Sequence, residues 1–142
     1  MAIEVKDLAQ LKLMRKAGLV VADTLKLIEQ SAQIGMTTLD LNEIAITNLA
    51  KHGATSSFLG YHGFPAVICA SVNEEVVHGI PNKYKIKHGD LVKIDLGVFY
   101  EGFHTDTSAT VEVGTNKEDK FIQAGKDCIE NAISTCIIGN KL

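Results

Sequence analysis

The sequence predicts a mixed α/β (α+β) fold in which helices flank an antiparallel sheet. Three observations carry this prediction. Apolar residues recur at the helical spacing through most of the first fifty residues. Two segments between Leu91 and Val113 alternate apolar and polar side chains around a Glu-Gly pair. A further amphipathic stretch begins at Lys117. With 142 residues, 46% of them hydrophobic and 22% charged, the chain is long enough for one domain, or part of one, with a real core.

In chain order, Leu8, Leu11, Met14, Val21, Leu25 and Ile28 place one helix between Asp7 and about Ile34, and Gly35 suits its end. Thr37-Thr38-Leu39-Asp40 resembles a capping box that opens a second helix running to about Lys51, with Gly53 closing it. Pro65 to Val72 is apolar and partly β-branched, a strand that runs into the loop Asn73-Glu74-Glu75. Leu91 to Tyr100 and Phe103 to Val113 read as a hairpin turning at Glu101-Gly102. Lys117 to Ile138 reads as a third helix.

Composition excludes several classes of function. Fourteen basic against seventeen acidic residues give a net charge of −3, mixed along the chain, without the basic stripe of a nucleic-acid binder. Cys69, Cys128 and Cys136 are odd in number and lack metal or redox spacing, which reads as intracellular thiols. The longest stretch without charge, His52 to Asn73, holds glycines, two histidines, hydroxyls and Pro65, and is no membrane span. The start MAIEVKDLAQ has no basic-then-apolar leader pattern, so a cytoplasmic location is expected.

The hairpin carries the most informative local signal. Val92, Ile94, Leu96 and Val98 form one apolar face, and Phe103, Ala109, Val111 and Val113 supply its counterpart on the second strand. The apolar faces must coincide, because a slip of one residue inverts a strand. A two-residue turn meets this by pairing Asp95 with Ser108 and Gly97 with Asp106. Asp95 and Asp106 then share the other face as diagonal neighbours, with Cα atoms about 7–8 Å apart. Carboxylates that close need a proton, a basic partner or a cation once water is excluded. Spacing alone leaves two readings open, a solvated face and part of a metal site. In the second, two carboxylates without cysteine suit Mn²⁺, Fe²⁺ or Co²⁺, or Zn²⁺ with added histidine.

The segment GYHGFPAVICASVNEEVVHGIP (Gly60 to Pro81) resembles methionine aminopeptidase, type I. KIDLGVFYEGFHTDTSATVEVG (Lys93 to Gly114), MRKAG (Met14 to Gly18) and TTLDLNEIA (Thr37 to Ala45) continue the resemblance in order and spacing. It implies the pita-bread fold, whose two halves are related by a pseudo-twofold axis, and two-metal hydrolysis of a peptide. By it Asp95 and Asp106 are metal ligands, His78 is a catalytic residue that hydrogen-bonds the reacting peptide, and Tyr61, Phe64 and Cys69 line the methionine pocket. His62 and His104 remain structural or supporting candidates. The implied cofactors are two divalent ions per complete site, of Co, Mn, Fe or Zn. The implied partners are nascent polypeptides that begin with Met, met in the neighbourhood of the ribosome, with neither nucleic acid nor membrane bound directly.

The same resemblance places one more histidine and two glutamates beyond the last residues, Gly139 to Leu142. No histidine follows His104, and Glu112, Glu118 and Glu130 lie outside the required motifs. The expectation is therefore that residues 1–142 form the N-terminal half of such a catalytic domain, with little activity alone. Its third helix, through Phe121, Ile122, Ile129 and Ile133, is expected to expose apolar surface. A noncatalytic binding module and a half-domain that self-assembles as a homodimer are the alternatives.

Overall fold

The computed structural model describes residues 4–141; residues 1–3, the beginning of the start read above as leader-free, lie outside it, as does residue 142. Helix α1 (Leu8–Ser31) opens with a capping box, in which the Asp7 carboxylate accepts the Gln10 N–H and the Gln10 amide oxygen accepts the Asp7 N–H. Helix α2 (Thr38–Lys51) opens with the expected box between Thr37 and Asp40. Among the described residues four strands make one antiparallel sheet: β1 (Thr55–Ser56), β2 (Ile68–Val72), β3 (Leu91–Tyr100) and β4 (Phe103–Glu112). Strand β3 is the spine, pairing with β1, β2 and β4. Helix α3 (Asp119–Ser134) follows.

The hairpin register is the one that parity demanded, with Asp95 opposite Ser108 and Gly97 opposite Asp106. Its turn places Glu101 at φ 51° and Gly102 at φ 86°. Positive φ at both central residues matches the twist of the flanking strands. Val92, Ile94, Leu96 and Val98 are fully buried, packed with Val20, Val21, Leu25 and Ile28 of α1 and with Leu41, Ala45 and Leu49 of α2. Each such aliphatic side chain contributes about 1.5–3 kcal/mol. Both helices cover this one face and leave the aspartate face open.

Four details differ from the sequence reading. The buried stripe of α1 begins at Ala17, and Leu8 and Leu11 stay exposed. Strand β2 starts at Ile68 rather than Pro65, since proline has no N–H for a ladder. The covered face of β4 includes Thr105 and Thr107 opposite Val98 and Leu96, and Thr105 Oγ1 is buried without a partner among the described residues. Helix α3 is shorter than Lys117 to Ile138; as expected, it leaves Phe121, Ile129 and Ile133 exposed, and it buries none of its residues.

Candidate metal and substrate site

The site is built on the open face of the sheet. Directly paired strand residues point to the same side. Cys69 of β2 pairs with Asp95 of β3, which pairs with Ser108 of β4, so these three form a row. Gly97 and Asp106 form the next row.

Two loops close over the rows. In the first, Ser56 Oγ accepts the N–H groups of Phe58 and Leu59 and donates to the Val67 carbonyl. A short 3₁₀ turn at Tyr61–Gly63 then carries Tyr61 and His62 outward and returns at Phe64. Phe58 and Phe64 meet edge to face with ring centroids 6.4 Å apart. In the second loop, Gly79 is pinned to β2: its N–H donates to Ser71 Oγ and its carbonyl accepts the Ala70 N–H, both at 2.9 Å. A Cβ on Gly79 would stand 2.6 Å from the Ala70 oxygen, so only glycine fits there. The residue before it, His78, is held at φ 59°, an uncommon conformation for a side-chain-bearing residue.

These loops gather Tyr61, Phe64, Cys69, His78, Asp95 and Asp106 around one cavity of about 530 Å³, a size typical of small-molecule sites. Beside Pro65, Phe58 and Ile80 complete its apolar lining. Neither was visible as a site residue in the sequence, because a phenylalanine or isoleucine in a loop carries no spacing signal of its own. His62 also borders the cavity, whereas His104 does not line it. A second cavity of about 200 Å³ shares His78 and Asp95 with the first.

Electrostatics mark the carboxylate pair as the unusual feature. Burial, together with the negative charge of Asp106 and a hydrogen bond shared with it, pushes the Asp95 carboxyl up to about 6, while His78 acts in the opposite direction. Burial, and then the charges of Asp95 and Asp106, push the Cys69 thiol up to about 11. Cys69 is therefore a neutral apolar wall at physiological pH and no thiolate nucleophile. A close carboxylate pair, with Asp95 half-buried, suits a hard or borderline divalent cation. Among the described residues no third His, Cys, Asp or Glu joins the pair to form a metal-binding group.

Comparison with known proteins places this arrangement. The family model for metallopeptidase family M24 matches residues 12–142. The chain belongs to metallopeptidase family M24. A methionine aminopeptidase of Clostridium perfringens is 42% identical to this M24 chain over 142 residues, which is 99% of the chain and 57% of the relative. The crystal structure of methionine aminopeptidase from Rickettsia prowazekii superposes with a TM-score of 0.87 at 36% identity, over 91% of this chain and 53% of that one. A Xaa-Pro dipeptidase from Bacillus anthracis shares the fold, with a TM-score of 0.73 at 21% identity, over 96% of this chain and 37% of that one. The M24 chain thus has an α/β fold that matches part of the pita-bread architecture of these proteins, and it spans little more than half the length of the curated relatives it matches. Its family is one of metal-dependent hydrolases.

Proposed function

We propose that residues 1–142 are the N-terminal half of a methionine aminopeptidase catalytic domain, acting on polypeptides that begin with Met. The observation that carries this is the meeting, in one cavity, of a carboxylate pair with an apolar wall of Phe58, Tyr61, Phe64 and Cys69. Aromatic rings and a neutral thiol suit a polarizable thioether. In this reading Asp95 and Asp106 supply two of the ligands for a pair of divalent ions, of Co, Mn, Fe or Zn. When bound, such ions make a nucleophile of water near neutral pH and polarise the scissile carbonyl. His78, fixed by Gly79 on the edge of β2, donates a hydrogen bond to the reacting peptide and stabilises charge that develops there. The wall residues hold the methionine side chain and exclude water from it.

The remaining ligands belong to a second half that closes over the open face. The natural setting is the cytoplasm, near the ribosome, where new amino termini emerge. That reading is favoured over a noncatalytic module, since the carboxylate pair is intact and sits in a substrate-sized cavity. A homodimer of half-domains is the competing way to cover α3. The test mixes this chain with the remaining segment of the clostridial relative and follows Met release from a Met-Ala peptide in Mn²⁺. Release by the mixture, its loss with Asp106→Asn, and silence of either piece alone are expected. Turnover by this chain alone, unaffected by Asp106→Asn, would overturn the assignment.

A further inference from the structure

His104 stands on the strand face of Asp106, two residues before it, and has no task in the site described so far. Its surroundings are specific. The Ser57 hydroxyl and His104 Nδ1 share a hydrogen bond of 2.8 Å. The imidazole also packs against Phe99, its cross-strand partner, with ring centroids 4.6 Å apart. The Ser57 N–H donates to the Gly97 carbonyl at 2.9 Å. Gly97 lets the loop come this close, since a Cβ there would stand 2.4 Å from Phe58 Cε1.

The segment beyond Ser57 depends on these contacts. Among the described residues, the hydrogen bonds of Phe58 to Phe64 are all made within residues 56–64. The loop is therefore bonded mostly within itself; it is tied to the hairpin through Ser57 and the short ladder of β1 just before it, and to the segment before β2 by Ser56 Oγ donating to the Val67 carbonyl. A nucleophile–base role for the pair is not supported, because no described residue orients the second imidazole nitrogen. What the pair does join is the loop carrying the aromatic wall and the strand carrying Asp106.

We propose that Ser57 and His104 are positioning residues, a latch that fixes the Phe58–Tyr61–Phe64 wall at its distance from Asp106. The effect on substrate rests on the methionine-pocket reading above, whereas the latch itself does not. One hydrogen bond of ordinary net strength corresponds to about a fivefold change in an opening equilibrium.

Amide hydrogen exchange by NMR tests this on the metal-free 142-residue chain and on Ser57→Ala, His104→Ala, the double variant and His104→Asn. Exchange at Tyr61, Gly63 and Phe64 should quicken about fivefold in each single variant and no further in the double. His104→Asn, which places an amide group near the former Nδ1, should restore slow exchange. Amides of Val92 to Leu96 should be unchanged throughout. In parallel, L-methioninamide titrated into the same proteins should bind about fivefold more weakly to the single variants. Unchanged loop exchange, additive effects in the double variant, or equal quickening at Val92 to Leu96 would each overturn the latch. If the loop responds as expected but the parent chain does not bind methioninamide, the latch stands and the methionine-pocket reading falls.

Discussion

Replacing Gly97 with alanine sets two forces against each other at one position of β3. Gly97 does not have positive φ, so alanine fits the backbone and reduces the entropy of the unfolded chain. Taken alone, that stabilises by about 0.4–1 kcal/mol. Opposing it, the new methyl would stand 2.4 Å and 2.8 Å from two carbons of the Phe58 ring and 2.9 Å from Ser57 Cβ. Carbon atoms prefer about 3.5–4.0 Å, so the ring must move by an ångström or more. Ring rotation does not relieve the Ser57 contact, because that atom sits beside the backbone. The loop must lift, straining the Ser57 N–H bond to Gly97 and the Ser57–His104 bond. Overpacking of this kind costs about 1–3 kcal/mol and wins. Set against the entropic gain, the net loss is about 1–2 kcal/mol, so for a domain of this size the melting temperature should fall by about 3–7 °C. Thermal unfolding followed by circular dichroism reads the result. A melting temperature equal to or above that of the parent chain would show that the loop is not seated on Gly97.

Four further outcomes are expected. Thr105→Val should raise stability by about 1 kcal/mol in urea unfolding, because it removes a buried hydroxyl that lacks a partner; a loss would mean that Oγ1 is satisfied. Burial pushes the Asp90 carboxyl up, but donors from Asn73, the Lys87 N–H and Tyr84 outweigh it and hold the group below its usual 3.8. Its stabilisation is therefore present above the usual value and lost as pH falls through the lowered one, so Asp90→Asn should weaken the fold at neutral pH and flatten its acid limb. Mn²⁺ should raise the melting temperature of the parent chain and leave the Asp95→Asn, Asp106→Asn double variant unmoved, which a shift in both proteins would contradict. A maleimide should label the exposed Cys128 and Cys136 well before buried Cys69, and mass spectrometry of timed samples reads the order.

The sheet was more legible in the sequence than the site on top of it. Alternation in residues 91–113 is a period-2 signal long enough to determine strand limits, turn and register together, and so which face holds Asp95 and Asp106. Residues 55–64 carry no period. Strand β1 is two residues long, and the turn after it depends on Ser56 Oγ capping two N–H groups and on glycines at positive φ. Such contacts join residues through side chains rather than spacing, so Phe58 gave no sign of lining the cavity. Leu8 and Leu11 continue the helical period of α1 but face solvent, because periodicity reports a shared face and not what lies opposite it.

The distribution of the core along the chain has a consequence for biosynthesis. Every residue of the main hydrophobic cluster lies between Val20 and Val113, and α3 contributes none. A chain emerging from the ribosome amino terminus first can close its sheet, seat α1 and α2 and form the hairpin once Val113 is free. At about 5–20 residues per second, the segment carrying α3 takes a few seconds more to appear. Folding of the sheet thus does not wait for α3. Once α3 has emerged, Phe121, Ile129 and Ile133 add exposed apolar side chains to a chain whose core has already formed.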